Sequence, residues 1–224
     1  MSWRDFPATI ALGTDVFRQG RELTCSPGPA RPETESEKNL NRIETSLPGV
    51  CLLQPKVFAD PRGFFLESYH REKFAALGIT ATFVQDNHSR STRGVLRGLH
   101  YQLLHPQAKL CRVIEGQVLD VAVDIRLGSP TFGKFTSAVL TAQNHEQIYI
   151  PAGFAHGFLV LSETAQFLYK CSDFYDPSDE HGILWNDPAL NIPWGVTDPI
   201  LSDRDRKNPP LAQVPPELLP PYQP

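Results

Sequence analysis

The chain has 224 residues, 41% of them hydrophobic and 21% charged, with a formal net charge of -4. That length supports one sizeable core rather than two domains. No apolar run approaches the roughly 20 residues of a membrane helix, and the acidic balance argues against a general nucleic-acid surface, so an anionic ligand must be met by a local cluster of Arg and Lys.

The N-terminus, MSWRDFPATIALG, lacks the basic-then-apolar pattern of a secretory leader, so the cytoplasm is the expected location. Residues 1–44 read as a flexible extension, because CSPGPARPETESEKN is polar, proline-bearing and aperiodic. Residues 45–208 form a string of short strand candidates, broken by Gly, Pro, Asn and Asp clusters. They run GVCLLQPKVF, GFFLESYH, TFVQDNHS, VLRGLHYQ, KLCRVIEG, QVLDVAVDIR, FTSAVLTA, EQIYIP, GFLVLSE and AQFLYKCSDFY. Helix is scarce: REKFAALG, from Arg71, is the clearest stretch, and PSDEHGILWND holds a turn. Glu115-Gly116 lies between two strand runs and reads as a hairpin turn. In QVLDVAVDIR, Leu119, Val121, Val123 and Ile125 share one face, and Asp120, Ala122, Asp124 and Arg126 the other. Residues 209–224, PPLAQVPPELLPPYQP, read as an extended Pro-rich tail. Cys25, Cys51, Cys111 and Cys171 form no C-x-x-C pair and read as free thiols, with Cys111 and Cys171 buried in strands. Many short strands at close spacing indicate an all-β barrel or double-sheet jelly roll, which holds ligands in its mouth.

The stretch RGLHYQLLHPQAKLCRV, Arg97–Val113, concentrates polar groups in strand sequence. A metal site needs three or four converging ligands. His100 and His156 are candidates, but Gln102 stands where an H-x-H pair needs its second imidazole and His105 adjoins Pro106. Glu115 falls too near the turn, and Arg97 and Lys109 would set positive charge beside a cation. A metal-free polar site is therefore favoured, and His156 alone also reads as a hydrogen-bonded core residue. A neutral His is a good general base when a carboxylate fixes its tautomer. Removing a C–H proton beside a carbonyl further needs a cation near the enolate, for which Lys109 is placed. In AQFLYKCSDFY, Phe167, Tyr169, Cys171, Asp173 and Tyr175 share a face, so two phenols can enter one cavity. Singly, each tyrosine reads more simply as a half-buried strand residue with its hydroxyl at the rim.

Together, DPRGFFLESYH, FVQDNHS, VLRGLHYQ, QAKL, DVAVDIR, IPAGFAHGF, FLYKCSDFY and LWND closely resemble the dTDP-4-dehydrorhamnose 3,5-epimerase family across residues 45–208. VLRGLHYQ with PAGFAHGF and FLYK is the specific combination; PAGFAHGF alone indicates only a cupin. The resemblance implies a cupin-type jelly roll needing neither metal nor other cofactor, forming a homodimer by strand exchange, and acting on a dTDP-4-keto-6-deoxy sugar. It makes His100 the general base, Asp205 its carboxylate partner, Tyr169 the general acid and Lys109 the group near the enolate. It places Arg62, Glu67, Gln85, Asn87, Arg97 and His156 against substrate, stacks Tyr175 on the thymine, and adds Glu180 and Arg204 as further contacts. At the last position the family often has Lys, and Arg keeps the charge without the geometry.

Gln85 and Asn87 share strand parity, as a common pocket face requires, whereas Arg97 and His100 do not. Both reach one cavity only if the strand is irregular between them, and Gly98 is the expected bulge. GFFLESYH is apolar on both faces, as an inter-subunit strand or an ordinary central strand would be. Three other readings stay open here: an epimerase acting at a single centre, a non-catalytic sugar- or nucleotide-binding cupin, and a metal-dependent cupin oxygenase or isomerase.

Overall fold

The computed structural model of the chain describes residues 39–223, so Cys25 and residues 1–38 of the expected extension lie outside it. In chain order the regular elements are β1 (Leu40–Glu44), β2 (Cys51–Pro55), β3 (Val57–Asp60), β4 (Gly63–Leu66), α1 (Arg71–Ala76), β5 (Gln85–Thr92), β6 (Leu96–Gln102), β7 (Lys109–Glu115), β8 (Gln117–Asp124), β9 (Phe135–Thr141), β10 (Gln147–Ile150), β11 (Phe154–Val160), β12 (Thr164–Cys171) and β13 (Glu180–Gly182). A six-stranded sheet runs β1-β2-β10-β7-β12-β5 and a five-stranded sheet β13-β6-β11-β8-β9, while β3 and β4 form a separate hairpin. Strand pairing within these sheets is antiparallel. The all-β double-sheet architecture expected from strand spacing is thus present. Among the described residues no helix is long and apolar enough to cross a membrane.

Glu115-Gly116 makes no hairpin, for β7 belongs to the six-stranded sheet and β8 to the five-stranded one. The chain crosses between sheets at Gly116, whose φ is +78° and whose missing Cβ would sit 2.0 Å from the Thr164 carbonyl oxygen. A glycine turn between apolar runs fits either connection, and only the partner strands decide.

The alternation in β8 is real, but its polar face points inward. Val121, Val123 and Ile125 join one buried cluster, and Val118 and Ala122 another. Asp120 and Asp124 are fully buried. Buried carboxylates persist where they are hydrogen-bonded. Asp124 accepts from Arg126 Nε at 2.9 Å, Arg126 Nη2 at 2.7 Å, and the Ser129 and Thr131 hydroxyls at 2.6 Å each. Burial favours its neutral form, yet these bonds outweigh it and bring its pKa down to about 2.

Three apolar clusters hold the layers. Cys111, Val113, Val118, Ala122, Leu140, Phe158 and Phe167 pack between the sheets. Phe74 of α1 packs with Ile79, Leu53 and Leu110 on the six-stranded sheet. The third cluster corrects the expected tail. Leu211, Val214 and Leu219 pack with Val121, Val123, Trp185 and Trp194 on the five-stranded sheet. Residues 211–213 and 216–218 are 3-10 turns, each started after a proline. Proline fixes each turn's φ, and the leucines and valine between them supply the buried area. The far end is held where the Arg126 guanidinium lies 4.3 Å from the Phe154 ring and 5.1 Å from that of Tyr222. At the other end the sheet begins earlier than expected, since Leu40–Glu44 pairs residue for residue with Pro55–Cys51. Cys51, Cys111 and Cys171 are free and buried.

Candidate active site

Between the sheets, at the end where β6, β7 and β12 converge, lies a cavity of about 670 Å³. It receives His100 and Arg97 from β6, Lys109 from β7, Tyr169 from β12 and Gln85 and Asn87 from β5, with His156 of β11 in its wall. Tyr175, Glu180, Arg204 and Asp205 line it from the loops and β13. Eleven of the thirteen expected site residues therefore meet here, counting from the same lining. Arg62 and Glu67 do not. Arg62 follows β3 and pairs with Asp60 at 2.5 Å, and Glu67 follows β4 and pairs with Lys73 at 2.9 Å. Within one chain both stand on the β3–β4 hairpin side, away from the cavity.

The predicted irregularity in β6 is present. His100 pairs with His156 and Arg97 with Phe158, so three steps along β6 match two along β11. Gly98 takes the extra step at φ +118°. The bulge turns Arg97 and His100 toward one cavity despite their opposite parity. Two glycines make room for it: a Cβ on Gly98 would lie 2.5 Å from Gly157 Cα, and one on Gly157 would lie 2.7 Å from the Arg97 carbonyl oxygen. Gly157→Ala must part the two backbones, an overpacking that costs about 1–3 kcal/mol. A lower melting temperature with reduced kcat/KM is expected, read by thermal unfolding beside a turnover assay; unchanged melting would contradict the close approach.

His100 Nε2 donates to Asp205 Oδ1 at 2.5 Å across a separation of 105 residues. Asp205 is 3% exposed. Burial works against its ionised form, but the His100 hydrogen bond and charge, the Ser202 hydroxyl and the Gly98 amide hold it below the usual carboxylate range. Its own amide donates to Ser202 Oγ at 3.0 Å, which starts the 3-10 turn Asp205–Lys207. The ring's other nitrogen, Nδ1, lies 3.7 Å from Glu180 Oε1.

Burial pushes the Tyr169 phenol up to about 12, and the thiols of Cys171 and Cys111 and the Glu180 carboxylate add to the rise. The group therefore stays protonated and able to donate across the physiological range. Phe167 stacks on Phe158 at 4.2 Å to form an apolar floor. At the rim, Gln85 Nε2 donates to Asn87 Oδ1 at 3.1 Å, and the Tyr175 amide donates to Gln85 Oε1 at 2.9 Å. Arg97 Nε donates to Ser91 Oγ at 3.1 Å.

Sequence reasoning missed Asp120, whose two oxygens accept from His156 Nε2 at 3.0 and 2.9 Å. With Cys111 it completes a buried group whose potential ligand atoms lie within 4.8 Å of one another. The available signal was an acid set between Leu119 and Val121 in the middle of a strand.

Set against known proteins, residues 44–213 match the description of the dTDP-4-dehydrorhamnose 3,5-epimerase family. The chain belongs to this family. A family member from Pseudomonas aeruginosa, named dTDP-4-dehydrorhamnose 3,5-epimerase, is 56% identical over 171 residues, 75% of this chain and 94% of that one. The crystal structure of a dTDP-6-deoxy-D-glucose-3,5-epimerase from Legionella pneumophila, in complex with dTDP-4-keto-L-rhamnose, superposes with a TM-score of 0.80 at 49% identity, covering 82% of this chain and 99% of that one. A 3'-monoepimerase from Streptomyces bikiniensis, in complex with dTDP-quinovose, gives a TM-score of 0.75 at 38% identity, covering 80% and 93%.

Proposed function

We propose that the protein inverts C3 and C5 of a dTDP-4-keto-6-deoxyglucose, in dTDP-L-rhamnose-type deoxysugar synthesis. The observation that carries this reading is the His100–Asp205 pair at 2.5 Å, in the same cavity as Tyr169 and Lys109. The C4 ketone acidifies the hydrogens on both neighbouring carbons. His100 removes one as general base, and Asp205 holds the ring and offsets the charge that forms. The electron pair of the broken C–H bond moves into the enolate, whose oxygen is met by the Lys109 ammonium. Tyr169, on the opposite sheet, returns a proton to the other face, and inversion results. The chemistry balances in protons alone.

The remaining cavity residues recognise the nucleotide. Arg97 meets the diphosphate. Tyr175 stacks on the thymine, with Gln85 and Asn87 at its polar edges, and His156, Glu180 and Arg204 complete the contacts. Arg62 and Glu67 reach the cavity of a second copy when the β3–β4 hairpin is exchanged in a homodimer. Support for the exchange lies in the hairpin itself, whose Phe58, Phe64 and Phe65 are 46%, 59% and 69% exposed in one chain. Buried free thiols accord with a reducing cytoplasm.

Incubation with dTDP-4-keto-6-deoxyglucose in deuterated water, reading label at each carbon, tests the activity. Label and inversion at both C3 and C5 are expected. Inversion at one carbon alone would assign the single-centre reaction, and no exchange at either would leave a binding protein.

A further inference from the structure

Each inversion leaves one proton too many on His100 and one too few on Tyr169. Both must be reset before the second carbon can react, so the site needs an outlet for the proton held by the imidazole. Asp205 is poorly placed for this, since its side chain is 4% exposed and already bonded to Nε2. The nitrogen left to work on substrate is Nδ1. Its nearby carboxylate is Glu180, with Oε1 3.7 Å away and a side chain 16% exposed, between cavity and solvent.

The register puts it there. Gly182 pairs with His100 and Glu180 with Gln102, so Glu180 lies two residues along the same edge. Its two oxygens differ in use. Oε2 accepts from the Tyr175 hydroxyl at 2.9 Å and from Arg204 Nη1, while Arg204 Nη2 holds the Glu180 backbone carbonyl. Among the described residues Oε1 accepts no hydrogen bond, and the His100 Nδ1 lies 3.7 Å from it.

We infer that Glu180 Oε1 is the outlet through which His100 passes to solvent the proton it has taken from carbon. This rests on the epimerase reading and goes beyond a substrate contact at this position. In the first step the C–H bond breaks and the Nδ1–H bond forms, with the electron pair left in the enolate. In the second the Nδ1–H bond breaks and an O–H bond forms on Glu180, which then releases the proton to water. A gap of 3.7 Å is too long for a hydrogen bond to the neutral ring. It closes once the ring is charged, directly or through one water. Arg204 and Tyr175 anchor the other oxygen, so the free one stays aimed at the ring. Besides Arg204 and Tyr175, the other ionisable groups lining this space are Arg97, Tyr101, Lys109, His156, Tyr169 and Asp205. Glu180 thus acts through His100, not on the sugar.

The test compares the first turnover with steady state in Glu180→Gln, which keeps an oxygen for Arg204 and Tyr175 but cannot carry the proton. Steady-state kcat should fall by about tenfold or more beyond any fall in the first-turnover exchange of deuterium, and should recover as formate buffer is raised. The parent should be indifferent to formate. Glu180→Asp, with its carboxylate one methylene back, should lie between the two. A fall without formate dependence, an equal fall in the first turnover, or a raised KM at unchanged kcat would each overturn the outlet. Label entering at C3 and C5 in the parent tests the epimerase reading by itself, so the two failures are distinguishable.

Discussion

His100→Ala should abolish solvent-deuterium exchange at both C3 and C5 of the keto sugar, with turnover reduced by about 10²–10⁴-fold. The loss is symmetric because the proposed mechanism assigns proton removal at both carbons to the one imidazole on β6; His156, on β11 of the same sheet, is bonded to the buried Asp120. Asp205→Asn separates position from charge. Its amide can still hold the ring, but it cannot offset the imidazolium. Turnover should fall by orders of magnitude with KM little changed, as expected when the wrong tautomer is held. Exchange is read by NMR at each carbon, and KM from initial rates. Residual exchange in His100→Ala at the parent rate would remove the ring from the mechanism altogether.

Tyr169→Phe should divide the reaction. The variant keeps the apolar body of the side chain, which packs beside Phe167 at 5.9 Å between ring centroids, and loses only the hydroxyl. Proton removal by His100 survives, so the substrate still takes up deuterium. Reprotonation on the far face fails, so inversion at C5 drops by about 10²–10⁴-fold while wash-in at the original configuration continues. The pH profile gives a second reading. With its pKa raised to about 12, the phenol holds its proton as the pH rises past the ordinary tyrosine value near 10. The parent should therefore show no loss of activity from Tyr169 ionisation below about pH 11. An alkaline limb that starts near 9 and disappears in Tyr169→Phe would contradict the buried setting.

How much of this was legible before the structure depended on whether the deciding partner was near in sequence. Strand parity placed Gln85 beside Asn87, and the mismatch between Arg97 and His100 located the bulge at Gly98, because both arguments need only one strand. Gly116 was misread because a sheet-to-sheet crossing and a hairpin use the same local chemistry. Period-2 alternation in β8 does not say which face is outside; Asp120 is inside because its carboxylate accepts a hydrogen bond from His156, 36 residues on. The C-terminal segment looked like a tail because proline content hides the spacing of Leu211, Val214 and Leu219. Arg62 and Glu67 carry the family's motif, yet in a single chain they sit on a hairpin that faces away. Under the proposed hairpin exchange their placement is decided by a second copy, which the parity of one strand does not describe.

Asp205 comes late in the chain and is folded against a ring laid down 105 residues earlier. During synthesis every strand from β1 to β13 is translated before the carboxylate that steadies His100 exists. A chain terminated after β13 would thus carry every strand of both sheets and lack the carboxylate that makes the imidazole a base, so competence waits on the stretch that follows the last strand.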